Sequence, residues 1–137
     1  MTMTGGCLCG TVRYEIEGTP QFVGRCYCND CKKETGTGHN TVVAVADAAL
    51  RLTGTLTDFA RPGDSGADVV RSFCPKCGTT VVGRPARMAG VAMVRAGTLD
   101  DPSLVTPMAA VYGSRAVHWD QPPAGLQVFP ETPPRGN

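Results

Sequence analysis

Seven cysteines stand in three clusters, at spacings that suit a metal ion. Cys7 and Cys9 form a CxC pair, Cys26, Cys28 and Cys31 a CxCxxC triad, and Cys74 and Cys77 a CxxC pair. A structural zinc takes four such ligands and closes a tetrahedron around itself. The two outer pairs supply four thiolates. The triad supplies three and leaves one coordination position, the pattern of a metal that takes part in chemistry. The cysteines thus divide into one closed site and one open site.

Each outer pair is followed directly by glycine, and Cys9-Gly10-Thr11-Val12 echoes Cys77-Gly78-Thr79-Thr80-Val81. Glycine tolerates the left-handed turn that folds backbone around a bound sulfur, and two similar hairpin knuckles gripping one ion would explain the echo. Residues two apart on an extended strand face one way, so Cys7 and Cys9 are expected to aim both sulfurs from a strand toward a tight knuckle at Cys74 and Cys77. Shared ligation would clasp the N-terminus to the middle of the chain and stabilise a small β protein directly.

In the triad, Cys26 and Cys28 are expected on one strand face, with Cys31 in the first turn of a helix. Unpaired N–H groups and the helix dipole lower a thiol's pKa there. Arg25, Lys32 and Lys33 add positive charge, although three cations by themselves describe an ordinary solvated surface. The fourth ligand is water, His39 or a substrate thiol. His39 ends a glycine-flanked loop, Gly36-Thr37-Gly38-His39, and is a candidate ligand or acid/base, with plain surface exposure as the competing reading. His118 reads as a packing or pocket-wall residue, and Trp119, the only tryptophan, as a core or rim residue. Metal-free thiol chemistry, with a Cys28–Cys31 disulfide and Cys26 left over, is the rival reading of the triad.

The elements that must position these groups are short strands punctuated by glycine and proline. Val12, Tyr14 and Ile16 alternate with Arg13, Glu15 and Glu17, which predicts a half-buried antiparallel strand over 11–17. Further strands are expected over 21–26, 41–46, 50–53, 69–73, 79–82 and 91–95, with weaker ones at 110–112 and 126–129. One short helix follows Cys28, capped by Asn29 or Asp30 and ended by Gly36 or Gly38. A further turn is expected at 100–104. The fold class is mainly β with antiparallel sheets and one or two short helices. At 137 residues, the chain reads as a single domain over 1–129 with a proline-rich tail over 130–137.

Composition excludes several function classes. A net charge of +1 gives no field for nucleic acid or anionic lipid. No apolar run is long enough to span a bilayer. The opening residues lack the pattern of a secretory signal. An odd number of cysteines argues against a disulfide framework, and the chain is expected to be cytoplasmic.

The order Gly6-Cys7-x-Cys9-Gly10-x-Val12-Arg13-Tyr14-Glu15, then Cys26-x-Cys28-x-x-Cys31, then Phe73-Cys74-x-x-Cys77-Gly78-Thr79 and a late Trp119 resembles the glutathione-dependent formaldehyde-activating enzyme family. The resemblance spans roughly residues 5–120. It implies an Mss4-like fold with sheets organised around zinc. It implies a structural zinc on Cys7, Cys9, Cys74 and Cys77, and a catalytic, more easily lost zinc on Cys26, Cys28 and Cys31. It also implies a carbon–sulfur lyase that joins glutathione to formaldehyde and reverses the reaction. Two positions depart from the family: Tyr27 stands where the family often has histidine, and Lys32 and Lys33 follow the third triad cysteine where it often has arginine. Arg25, Lys33, Arg84 and Arg115 are candidates for recognising the thiol substrate. The alternatives are a non-catalytic zinc-stabilised binding module, for which the triad is superfluous, and a thiol redox or metal-buffering protein.

Overall fold

Alternating polarity shapes the first sheet. Val12, Tyr14 and Ile16 are buried, while Thr11, Arg13, Glu15 and Glu17 are exposed. The structure, a computed structural model, describes residues 1–133; the end of the expected tail, 134–137, lies outside the described residues. In chain order the strands are β1 (Thr2–Gly6), β2 (Arg13–Glu17), β3 (Phe22–Cys26), β4 (Asn40–Ala46), β5 (Leu50–Thr53), β6 (Thr57–Pro62), β7 (Asp68–Phe73), β8 (Thr80–Pro85), β9 (Val91–Arg95), β10 (Ala109–Val111) and β11 (Gln127–Val128). One α-helix, α1 (Asn29–Thr35), and several short 3-10 turns complete the described residues. The expected mainly β class is the class observed.

Two compact units divide the chain: residues 1–22 with 43–104, and residues 23–42 with 105 onward. In the first unit, β2 pairs antiparallel with β1 on one side and β5 on the other. A second antiparallel run joins β6 to β7, β7 to β8 and β8 to β9. Met3, Ile16, Val43, Val45, Val81 and Val94 are fully buried in this unit. In the second unit, β10 pairs parallel with both β3 and β11. These parallel pairs add to the expected antiparallel ones. Parallel neighbours need a long connection, and more than eighty residues separate β3 from β10. β4 begins in the second unit and ends in the first.

Two strands were invisible to pattern. β1 reads Thr-Met-Thr-Gly-Gly, a poor strand by propensity. Its glycine is required by close approach: a Cβ on Gly5 would sit 2.4 Å from both the Thr98 carbonyl oxygen and the Tyr14 hydroxyl. β6 is exposed along its whole length, so it carries no alternation; it is an edge strand closed by Pro62, where a missing N–H costs no ladder bond.

A polar clamp ties β1 and β2 to the turn at Asp100. Arg13 grips both Asp100 carboxylate oxygens, one of them from Nη1 at 2.9 Å, and the Thr4 hydroxyl donates to Oδ2 at 2.7 Å. The Arg13 bonds, followed by the Thr4 bond, lower the Asp100 pKa to about 2. A carboxyl lowered in this way stabilises the fold above its unfolded pKa and loses that contribution as the pH falls through the folded value. Both side chains are about half exposed, so solvent screens the pair. Asp100→Asn is therefore expected to lower Tm by no more than a few degrees at pH 7. The deficit should narrow as the pH drops below about 4, the ordinary carboxyl range. Thermal melts of both proteins at stepped pH check this.

Candidate metal centres

The first unit brings Cys7, Cys9, Cys74 and Cys77 together, with all four sulfurs within 4.8 Å of one another. Cys7 and Cys9 lie in a turn after β1, which corrects the expected strand placement. Cys7 N–H donates to Val12 O and Gly10 N–H to Cys7 O. Cys74 N–H likewise donates to Thr79 O, and Gly78 N–H to Cys74 O. Gly10 and Gly78 have φ of 84° and 78°, the left-handed region that favours glycine. The sequence echo is thus a repeated turn.

The geometry fits zinc. Cys7 Sγ lies 3.6 Å from Cys9 Sγ, and Cys9 Sγ lies 3.8 Å from Cys74 Sγ. A tetrahedral zinc with Zn–S bonds of about 2.3 Å separates its sulfurs by about 3.8 Å. Backbone N–H groups point at the sulfurs: Val12 N to Cys7 Sγ at 3.3 Å and Lys76 N to Cys74 Sγ at 3.4 Å. Thr11 and Thr79 hold equivalent places in the two turns. The Thr11 hydroxyl is 3.1 Å from Cys9 Sγ, and the Thr79 hydroxyl is 3.3 Å from Cys77 Sγ.

These contacts set the charge balance of the metal-free cluster. Burial opposes ionisation of Cys7, but the Val12 N–H and the Cys9, Thr11 and Cys74 side chains outweigh it and bring the pKa to about 7. The Thr79 hydroxyl and N–H, with the Cys9 N–H, bring Cys77 to about 5. Thr11 favours the Cys9 thiolate, yet desolvation and the Cys7 and Cys77 sulfurs leave its pKa above the ordinary value.

The second unit brings Cys26, Cys28 and Cys31 together, again with sulfurs within 4.8 Å of one another. Cys26 ends β3. Cys28 lies beyond the strand and is itself the N-cap of α1, its sulfur accepting from Cys31 N–H at 3.3 Å. This corrects both the strand-face placement of Cys28 and the expected Asn29 or Asp30 cap. Gly36, in the left-handed region at φ 73°, ends the helix. The Cys26 and Cys31 sulfurs, together with N–H groups at the helix start, hold the Cys28 thiol well below its ordinary pKa. The Cys28 and Cys31 sulfurs and burial push Cys26 the other way. All seven cysteines are free thiols, without disulfides.

Surrounding groups differ from expectation in several places. Lys32 Nζ donates to the Arg115 carbonyl at 2.6 Å and serves as a tether. Arg25 Nη1 lies 3.5 Å from the Tyr27 hydroxyl. Lys33 is exposed. Arg84 pairs with Asp47 at 3.0 Å, and Arg115 lies over the Tyr112 ring and beside Glu131, so both have acidic or aromatic partners within their own units. Trp119 is 64% exposed, which removes it from any core.

His39 does not join the converging sulfurs. Its Nδ1 lies 2.6 Å from Asp120 Oδ2, and its ring centroid lies 5.2 Å from that of Tyr27, which is fully buried. Asn40, beside it, reaches Glu34 at 3.2 Å and the Cys31 sulfur at 3.9 Å. Sequence reasoning missed Asp120 and Asn40. Asp120 lies eighty-one positions from its histidine, and no local pattern marks it.

A mainly β chain with two convergent cysteine clusters defines a candidate zinc protein. The family described as glutathione-dependent formaldehyde-activating enzyme matches residues 2–115, and the chain belongs to that family. A solved structure of a Rhodobacter sphaeroides protein is similar in fold, with a TM-score of 0.59 and 24% identity, covering 77% of this chain and 92% of that one. No curated protein matches the chain. Among the described residues, no helix is long and apolar enough to cross a membrane.

Proposed function

We propose that the protein is a zinc-dependent carbon–sulfur lyase that joins a small thiol, such as glutathione, to a small aldehyde, such as formaldehyde, and reverses the reaction. The observation that carries this reading is the triad: three converging sulfurs, one short of closure, in addition to a separate set of four. Cys7, Cys9, Cys74 and Cys77 would hold a structural ion. Cys26, Cys28 and Cys31 would hold a second. Zinc held there would make a thiol substrate easier to deprotonate and would leave a position for it.

The chain's own residues supply the rest. The first N–H groups of α1 stabilise negative charge on Cys28. Tyr27, between Cys26 and Cys28, is fully buried and holds that segment in the core. In the forward direction a sulfur–carbon bond forms, the carbonyl π bond opens, and the proton lost by the thiol ends on the new hydroxyl. Bringing the two reactants together is the first contribution expected of the site. Seven cysteines at metal-ligand spacing suit a reducing compartment, and a cytoplasmic location belongs to this reading.

Thiol addition to small aldehydes is fast and reversible without a catalyst, so thiol binding alone is no evidence of catalysis. The test is the rate of hemithioacetal exchange by magnetisation-transfer NMR, with and without protein, on material assayed for zinc. The expected result is two zinc per chain and an exchange rate that rises in proportion to protein. One zinc and an unchanged rate would favour a binding module instead.

A further inference from the structure

We propose that His39 and Asp120 form a proton-transfer dyad serving the triad, with His39 moving the proton and Asp120 positioning it; this rests on the lyase reading above. The two side chains are mostly buried, 22% and 19% exposed, and their contact is short at 2.6 Å. A carboxylate accepts and does not donate, so the Nδ1 of a neutral imidazole carries the hydrogen. The lone pair then resides on Nε2, which has no hydrogen-bond partner among the described residues.

The dyad is built into the fold and is not an incidental surface pair. A Cβ on Gly38 would sit 2.2 Å from Asp120 Oδ2, so the carboxylate occupies the space a side chain there would need. Asp120 itself is held by a turn in which its N–H donates to Val117 O, while Gln121 Nε2 reaches the same carbonyl at 2.8 Å. Three contacts tie the segment around His39 to that of the triad. Its ring packs on Tyr27, the residue between Cys26 and Cys28. The Thr35 hydroxyl donates to Cys31 O at 2.9 Å and also lies 3.3 Å from His39 O. Asn40, the next residue, approaches the Cys31 sulfur. Because the His39 nitrogens stay outside the sulfur convergence, the arrangement suits proton transfer and not ligation.

The proton balance is complete. In the forward direction Nε2 takes the thiol proton, the sulfur–carbon bond forms as the carbonyl π bond opens, and Nε2–H returns the proton to the new oxygen. In the reverse direction Nε2 takes the hydroxyl proton, the carbon–sulfur bond breaks as the carbonyl π bond re-forms, and Nε2–H returns the proton to the departing thiolate. The chemistry the dyad adds is general acid–base catalysis, worth roughly 10²- to 10⁴-fold.

The experiment compares wild type, His39→Asn, Asp120→Asn and Asp120→Glu in the exchange assay, each with its zinc content and a ¹⁵N spectrum of the imidazole. His39→Asn is expected to lower kcat by roughly 10²-fold or more, with zinc content unchanged and KM for the thiol within a few-fold. Asp120→Asn should lower kcat and shift the His39 spectrum away from the Nδ1–H tautomer, and Asp120→Glu should restore part of both. Wild-type turnover in His39→Asn overturns the dyad, as does loss of zinc in that variant, which would make His39 a ligand. A wild-type imidazole protonated on Nε2 alone also overturns it, and needs no activity to be seen. If the wild type accelerates nothing while the tautomer is as expected, the lyase reading fails and the dyad's geometry stands.

Discussion

Cys74→Ser is expected to remove one zinc per chain and abolish cooperative thermal unfolding. Apparent binding free energies of structural zinc in small thiolate sites are about 10–16 kcal/mol, as large as the whole net stability of an ordinary domain, about 5–15 kcal/mol. Cys74 is the position where this loss should be greatest. Its sulfur is fully buried, takes the Lys76 N–H, and lies 3.4 Å from the Thr11 hydroxyl and 3.8 Å from Cys9 Sγ. A serine hydroxyl there offers zinc a poor ligand. Without the ion, the turns at Cys7 and Cys74, sixty-seven positions apart in the chain, lose their shared anchor. Prolonged treatment of the wild type with a strong chelator should reproduce the effect, and readdition of zinc should reverse it. Elemental analysis and circular dichroism melts supply both readouts. A Cys74→Ser protein that keeps two zinc, or melts like the wild type, would contradict the structural assignment of this cluster.

Legibility in the sequence followed the strength of each local signal. The membership of both cysteine groups could be read from spacing, because CxC, CxCxxC and CxxC each bring sulfurs near one another whatever the surrounding fold. Which backbone form presents them was read less well. Cys7 and Cys9 were expected on a strand, but their turn is a second copy of the Cys74–Gly78 turn. The repeated Cys-Gly-Thr already marked two similar knuckles, and that signal outranks period-two reasoning over only three residues. Cys28 was hidden as a cap because cysteine is not among the usual capping residues, yet its sulfur accepts the Cys31 N–H as an oxygen would. Strand β2 was legible from alternation, whereas β1 and β6 were not. β1 owes its place to Tyr14 and Thr98 pressing on Gly5, and β6 to pairing along β7 with no buried face of its own. Parallel pairing of β10 with β3, and the reach of Asp120 to His39, are long-range consequences of topology that no window of sequence contains.

Cys28→Ser is the change expected to separate chemistry from folding. Serine is among the best helix N-caps, so its hydroxyl can take over the Cys31 N–H that the sulfur now accepts, and α1 should persist. What disappears is the thiolate: the pKa of Cys28 is held well below its ordinary value by the neighbouring sulfurs and by N–H groups at the helix start, and a serine hydroxyl does not ionise there. Two sulfurs remain, too few for a stable site of the kind three protein ligands make. The variant should hold one zinc, melt within a few degrees of the wild type, and exchange hemithioacetal at the protein-free rate. The contrast with Cys74→Ser is what gives the result its force. Both variants lose one ion, but only one loses the fold, so a catalytic defect in Cys28→Ser cannot be attributed to unfolding. If Cys28→Ser kept its exchange rate, the chemistry would not depend on the triad, and the three converging sulfurs would be a second structural clasp. That outcome would also remove the reason for the His39–Asp120 pair to matter, because a proton relay has no use beside a site that performs no reaction.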